Sequence, residues 1–368
     1  MTSESGLPKR SDLHAGKQGS PATQFPQQPR EPKKKRSVGK TALWAILGLL
    51  ALILIPVGIL AGFLWNVSST FNHESETIAE VFPDEQSRPA QREDEAQTIL
   101  LLGSDTRGEI NADGLEESQD GRSDTMMVVR IPADRSAIYI TSIMRDSWVD
   151  IPGYGMNKIN AAFAFGGIPL TVATVEQLLD TRIDHVAVID FDGFRGLTNA
   201  LGGVTVNNQI AFDTFGVGPN KEINTYHFNE GKITLMGDEA LAYVRARKPF
   251  PDGDYQRVRN QQAYMKGLIS QILSRDTLTS PGTISNVVSE IAPFLAVDEG
   301  LTGGYIIGLG PELRSIRSGD IYFLALPTEG VGWSPDGKQS IIVLDEAGME
   351  QVRQAFHDDT VGELVDNG

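Results

Sequence analysis

The sequence predicts an α/β protein, an α-β-α sandwich with a mixed central sheet, preceded by one transmembrane helix. Three observations carry this reading. An uncharged run extends from Ala42 to Trp65. Short apolar segments rich in β-branched residues and bounded by turn residues recur at Thr98 to Gly103, Thr125 to Ile131 and Ala137 to Ile143. From Leu170 onward, segments of helical spacing interleave with further strand-like ones, the pattern that layers helices on a sheet.

The N-terminal run (ALWAILGLLALILIPVGILAGFLW) has about 24 residues and would rise about 36 Å as a helix, enough to cross a hydrocarbon core. It is longer than the apolar stretch of a cleaved signal peptide, and a soluble core helix seldom runs this far without a polar face. Lys33, Lys34, Lys35, Arg36 and Lys40 crowd its N-terminal flank, whereas the other flank has no Lys or Arg until Arg88. That asymmetry predicts an N-terminus inside and a C-terminal domain outside the cell membrane. Trp44 and Trp65 stand near its ends as interfacial aromatics do.

Residues 1–40 are rich in Pro, Ser, Gln and Lys and show no apolar period, so a disordered cytoplasmic tail is expected. The tail has nine basic and three acidic residues, +6; with the chain at -16, the remainder carries -22. A basic patch beside a membrane span orients the anchor and meets anionic lipid, so no nucleic-acid partner is expected. There is no cysteine, which excludes disulfides and thiol chemistry. Residues 66–96 read as a polar stalk and 97–368 as one extracytoplasmic catalytic domain.

Within that domain the three apolar segments suit strands buried on both faces and sharing one sheet. Leu170 to Leu179 has helical spacing, His185 to Phe191 strand character, and Phe194 to Leu201 reads as a helix stopped by Gly202-Gly203. Gly237 to Tyr243 favours helix, and Gln256 to Ser274 is amphipathic, with Val258, Met265, Ile269 and Ile272 on one side. Strands at Ile321 to Leu326 and Ser340 to Leu344 and a helix from Glu346 to Phe356 close the chain.

No nucleophile elbow, zinc-binding HExxH or Walker loop is present, and the five histidines are scattered. Asp and Arg stand instead where strands end: Asp105 after the first, Arg122 and Asp124 before the second, Arg145 and Asp146 after the third. If some of these strands run parallel, the charges gather at one sheet edge, where α/β folds place ligands. Arg245 and Arg247 share a face if extended, and a helix starting near Asp254 would align it with Arg257 and Gln261. Planar guanidinium forks suit phosphate oxygens, and paired carboxylates suit Mg²⁺. Taken singly, Asp105 and Asp124 are equally turn or cap residues, Arg245 and Arg247 a solvated face, Asp254 with Arg257 an ordinary helix-start pair, and Lys158 and Asn160 surface residues.

Five ordered blocks carry a resemblance: LLLGSDTR (100–107), GRSDTMMVV (121–129), SIMRDSWVDIPGYGMNKINAAFAFGG (142–167), IDHVAVIDFDGFRGLTNALGGV (183–204) and GKITLMGDEALAYVRARKPFPDGDYQRVRNQQ (231–262). Together they resemble the LytR-CpsA-Psr family, anchored phosphotransferases of Gram-positive cell walls. The resemblance implies transfer of a glycopolymer from a polyprenyl-pyrophosphate carrier to a peptidoglycan sugar hydroxyl, with Mg²⁺ as cofactor. It implies Asp105 and Asp124 as metal ligands and Arg122, Arg145, Arg245, Arg247, Arg257 and Gln261 as the pyrophosphate-binding set, with Lys158 and Asp254 in the pocket. Met144 stands where the family often has Pro, and Asn260 where it often has Arg, with Arg259 as a nearby cation. The lipid tail needs an apolar cavity between sheet and helices, and Phe163, Phe165 and Phe194 are either its lining or ordinary core. Arabinogalactan and teichoic acid are both candidate polymers. A lipid-pyrophosphate hydrolase and a non-catalytic surface binder are the rival readings.

Overall fold

The computed structural model describes residues 38–104, 123–217 and 223–366. The chain divides after Pro56 into two units, each taken by itself. Helix α1 runs Val38–Glu74, and the first unit contributes its opening half, up to Pro56. In the second unit, Ile59, Leu60 and Trp65 of α1 are exposed, whereas Val67 and Phe71 are buried, and Phe71 packs on Ala292, Val297 and Leu301. The stretch Leu54–Glu74 is long and apolar enough to cross a membrane, which accords with a single-pass anchor. A later helix passes the same test but has more than half of its residues buried, as a core helix does.

Residues 66–96 are not a free stalk. They hold the end of α1, then β1 (Glu76–Ile78), which enters the central sheet. The side chain of Arg88, further on, is buried and pairs with that of Glu176, Nη2 to Oε1 at 2.7 Å. A three-residue edge strand and one buried ion pair leave no apolar period in the sequence, which is why the segment reads as polar linker.

The first expected strands follow as β2 (Gln97–Ser104), β3 (Ser123–Ile131) and β4 (Ile138–Ile143), all in one sheet. The hairpin β5 (Trp148–Ile151) and β6 (Gly155–Lys158) leads into α2 (Ala161–Leu179). Helix α2 is broken at Gly166 and Gly167; Gly167 has φ +62°, which a side chain would strain, so the regular part matches the expected helix from Leu170. Then come β7 (His185–Asp190), α3 (Phe191–Ala200), β8 (Val204–Asn208), β9 (Phe212–Val217), β10 (Ile223–Phe228), β11 (Gly231–Leu235), α4 (Gly237–Arg245) and α5 (Asp254–Ile272). The chain continues through α6 (Arg275–Leu278), α7 (Pro281–Ile291), β12 (Leu295–Asp298), α8 (Gly303–Glu312), β13 (Ile321–Ala325), β14 (Thr328–Trp333), β15 (Ser340–Leu344), α9 (Glu346–His357) and α10 (Glu363–Asp366).

The seven-stranded sheet has the order β1-β12-β7-β2-β3-β4-β13. It is mixed: β2 pairs parallel with β7 and antiparallel with β3, which is antiparallel to β4, and β4 is parallel to β13. Consequently the C-terminal ends of β2, β4 and β7 and the N-terminal end of β3 share one edge. Alternation along the strands serves two cores. Leu100, Leu102, Met126 and Val128 pack with α2 and α9, while Leu101, Met127 and Val129 meet Met265 and Ile269 of α5 and Leu273, which caps it. Apolar residues on both faces explain the continuous hydrophobic runs.

One buried charge ties the sheet to the C-terminus. Arg130 is fully buried on β3 and donates from Nε to Asp359 Oδ1 at 3.0 Å and from Nη1 to Thr98 Oγ1 at 2.6 Å. Asp359→Ala would leave that guanidinium unpaired and is expected to destabilise the domain by about 3–5 kcal/mol. Chemical denaturation checks this, and a loss below about 1 kcal/mol would show that Arg130 finds another anion or water.

Candidate active site

The residues after β4 form a tight corner held from three sides. Ser147 N–H donates to Met144 O at 2.9 Å, Asn160 N–H to Arg145 O at 3.2 Å, and Ile342 N–H of β15 to Asp146 O at 2.9 Å. Met144 is buried against Val258 and Ile342, so this position is a packing residue with an unbranched, adaptable side chain. The corner therefore presents Arg145 and Asp146 from a fixed backbone.

Asp146, which the sequence marks only as a strand-end charge, is the hub of a charge network. Lys158 Nζ lies 3.1 Å from its Oδ1; Arg145 Nε and Arg247 Nη2 lie 3.8 and 3.7 Å from its Oδ2. Burial alone would raise this carboxyl, but the hydrogen bond and charge of Lys158, joined by the charge of Arg145, hold it below the usual carboxylate range. Its contribution to stability is therefore full above an ordinary carboxylate pKa of about 4 and is lost as the pH falls through the lower folded value. The midpoint of unfolding measured against pH should lose that acid segment in Asp146→Asn; an unchanged profile would mean that the network does not act through Asp146.

Helix α5 supplies the second hub. Gly253, at φ +24°, turns the chain so that Asp254 opens the helix, where the positive end of the helix dipole favours a carboxylate. Asp254 accepts from Arg247 Nη2 at 2.7 Å and lies 3.0 Å from Arg257 Nη2. Three and seven residues on, Arg257 and Gln261 share its face, as the spacing predicts. Gln261 Nε2 donates to Thr125 Oγ1 at 3.0 Å, tying α5 to β3 beside Asp124. Arg245 ends α4 in a helical rather than an extended backbone and lies 4.3 Å over the Phe191 ring. Ala246 is extended, which lets Arg247 reach Asp146 and Asp254.

Two cavities meet at these residues. A polar one of about 610 Å³ is lined by Arg145, Asp146, Asn157, Lys158, Arg247 and Asp254 among others. An apolar one of about 370 Å³ lies between the sheet and α3, α4 and α5; Leu101, Met127, Ala187, Phe194, Leu241 and Leu268 form its walls, and Arg145, Arg245, Arg247, Arg257 and Gln261 also border it. Arg145 and Arg247 belong to both. Of the three phenylalanines, Phe163 is core, Phe165 borders the polar cavity and Phe194 the apolar one.

The structure thus brings together Arg145, Lys158, Arg245, Arg247, Asp254, Arg257 and Gln261. Asp105 and Arg122 lie outside the described residues. Asp124 is placed only by its backbone, in β3 at the irregularity where Ser104 and Gly103 face Ser123 and Thr125. Among the described residues no three His, Asp or Glu side chains cluster to hold a metal. Asn260 is buried and structural, donating to Tyr243 O at 3.2 Å. Arg259 does not substitute for a cation there: it turns outward to Asp252 and Gln256. The sequence named Asp146 without a role in the site and passed over Asp190, which ends β7, borders the apolar cavity and caps α3 through Gly193 N–H at 2.7 Å. Burial, reinforced by the charge of Asp192, raises its carboxyl above the ordinary value. Its place at the same edge as Arg145 was the available signal.

The mixed α/β fold carries an arginine-lined junction of a polar and an apolar cavity, and the chain belongs to the LytR_cpsA_psr family, whose model matches residues 62–357. Among curated relatives, the polyisoprenyl-teichoic acid–peptidoglycan teichoic acid transferase TagU of Enterococcus faecalis is 37% identical over 260 residues, covering 69% of this chain and 78% of that protein. TagU of Bacillus cereus is 35% identical over 250 residues, covering 67% and 76%. Among solved structures, B. subtilis TagV superposes with a TM-score of 0.60 at 26% identity, covering 73% of this chain and 98% of that one. A structure of TagT bound to LI-WTA gives 0.56 at 26% identity, covering 76% and 98%.

Proposed function

We propose that this protein transfers a glycopolymer from a polyprenyl-pyrophosphate carrier to a sugar hydroxyl of peptidoglycan, forming a phosphodiester and releasing polyprenyl phosphate. The observation that carries the reading is that Arg145 and Arg247 border both cavities. A lipid pyrophosphate has an apolar tail, an anionic middle and a polar glycan, and the site offers those three environments in that order. The relatives' names place teichoic acid as donor and peptidoglycan as acceptor in those proteins, and the same substrate class is proposed here. The α1 anchor then serves the chemistry, with the N-terminus inside and the domain outside, tethered to the membrane that dissolves the substrate.

Arg145, Arg247 and Arg257 would bind the pyrophosphate oxygens and stabilise the charge that grows on them as the bridging bond lengthens. The acceptor oxygen forms a bond to the sugar-side phosphorus, and the bond from that phosphorus to the oxygen of polyprenyl phosphate breaks. The hydroxyl proton passes to a carboxylate of the polar cavity, Asp146 or Asp254. The family resemblance assigns Mg²⁺ to Asp105 and Asp124; hard carboxylate oxygens suit that ion, and the β3 register sets Asp124 at the sheet edge that bears Arg145. When bound, Mg²⁺ would neutralise charge on the pyrophosphate.

The test is product analysis. Full-length protein with Mg²⁺, labelled lipid-linked glycan and peptidoglycan should yield label joined to peptidoglycan through a phosphodiester. Free glycan phosphate with no joined product would favour the hydrolase reading, and recovery of unchanged donor the non-catalytic one.

A further inference from the structure

We propose that the mouth of the polar cavity is a sugar-ring subsite in which Trp333 and Phe165 provide flat apolar faces and Asn157, Gln339 and Asp252 provide partners for hydroxyls. The inference rests on the transferase reading, which brings a glycan to this side of the arginines. It goes further in assigning recognition of that glycan to residues that take no part in phosphate chemistry.

Large aromatic side chains held in water need a reason; one borders this cavity and another stands on the strand face beside two residues that do. Trp333 is 68% exposed and Phe165 40% exposed. Phe165 borders the cavity and is stacked on Tyr154, with ring centroids 4.8 Å apart and planes 17° apart, and the Tyr154 hydroxyl donates to Phe165 O at 3.2 Å. The pair is a braced platform. Exposure alternates along β14, with Val331 and Trp333 on the same, open face. Val331 borders the cavity, as does Ser340, the cross-strand partner of Trp333. Because β15 is bonded to the Asp146 carbonyl, this hairpin is fixed relative to Arg145.

A pyranose ring has apolar C–H faces and a hydroxylated edge, so it calls for aromatic faces combined with amides and carboxylates. Asn157, Gln339 and Asp252 border the same space, and amides both donate and accept. The sugar could belong to the donor's glycan or to the acceptor, and the chemistry is the same for both.

The experiment is isothermal titration of full-length protein in detergent micelles with two probes: muramidase-released peptidoglycan glycan chains, and teichoic acid chains freed of their lipid. Trp333→Ala is expected to weaken binding of at least one probe tenfold or more, with Trp333→Phe within threefold of the wild type; the probe that responds identifies the source. The exposure of Trp333 keeps the variant folded, which its unfolding midpoint verifies. Equal binding by Trp333→Ala and wild type overturns the proposal, as does wild type that binds neither probe. So does a loss confined to association with phosphatidylglycerol vesicles. No turnover is involved, so sugar binding through Trp333 without transfer would fault the transferase reading and leave the subsite standing.

Discussion

Arg145→Ala is expected to lower the rate of glycopolymer transfer on the order of 10² or more, the scale on which removal of one preorganised charge donor acts. Arg145 is held by a corner bonded to Asn160 and β15, borders both cavities and lies beside the Asp146 carboxylate. The bond that breaks in the proposed reaction lies between those cavities, so the lost guanidinium is one that acts on developing charge. Arg145→Lys should recover only part of the rate, since an ammonium keeps the charge without the planar fork. The initial rate of phosphodiester formation measures both. A fall of less than threefold in Arg145→Ala would assign the arginine to structure rather than to transition-state charge.

Ala187→Phe should give the second large effect. Ala187 on β7 borders the apolar cavity, and a benzyl group there would occupy space proposed for the lipid tail. Overpacking of this kind costs about 1–3 kcal/mol where the neighbours cannot move, and about 1.4 kcal/mol is tenfold in affinity. The KM for a long-chain lipid-linked donor should therefore rise about tenfold or more, with kcat changed less and a short-chain donor affected less. Equal effects on long and short chains would place the tail elsewhere.

Much of this arrangement is legible in the sequence, for physical reasons that can be named. The strands β2, β3 and β4 are buried on both faces, so their apolar runs are unbroken, and Asp254, Arg257 and Gln261 align because helical spacing requires it. Other parts are silent. The hairpins β8 with β11 and β9 with β10 lie outside the main sheet, paired only with each other, and their mixed composition resembles loop. Arg245 and Arg247 converge on the site across a helix end rather than along a strand, which two-residue spacing alone does not distinguish. Asp146 stands in the sequence only as a strand-end charge, whereas its shortest ion pair is with Lys158, 12 residues away along the chain; the β5–β6 hairpin makes that pairing. Arg88 similarly finds Glu176 across 88 residues, which turned an expected stalk into part of the domain.

The central claim is that the apolar cavity receives the lipid and the arginines receive its phosphates. A crystal structure of the protein soaked with a polyprenyl phosphate tests it most directly. The account predicts the isoprenoid chain against Ala187, Phe194 and Leu268, with the phosphate held by Arg145, Arg247 and Arg257. A chain bound elsewhere, or a phosphate remote from Arg145 with the apolar cavity still empty, would contradict it.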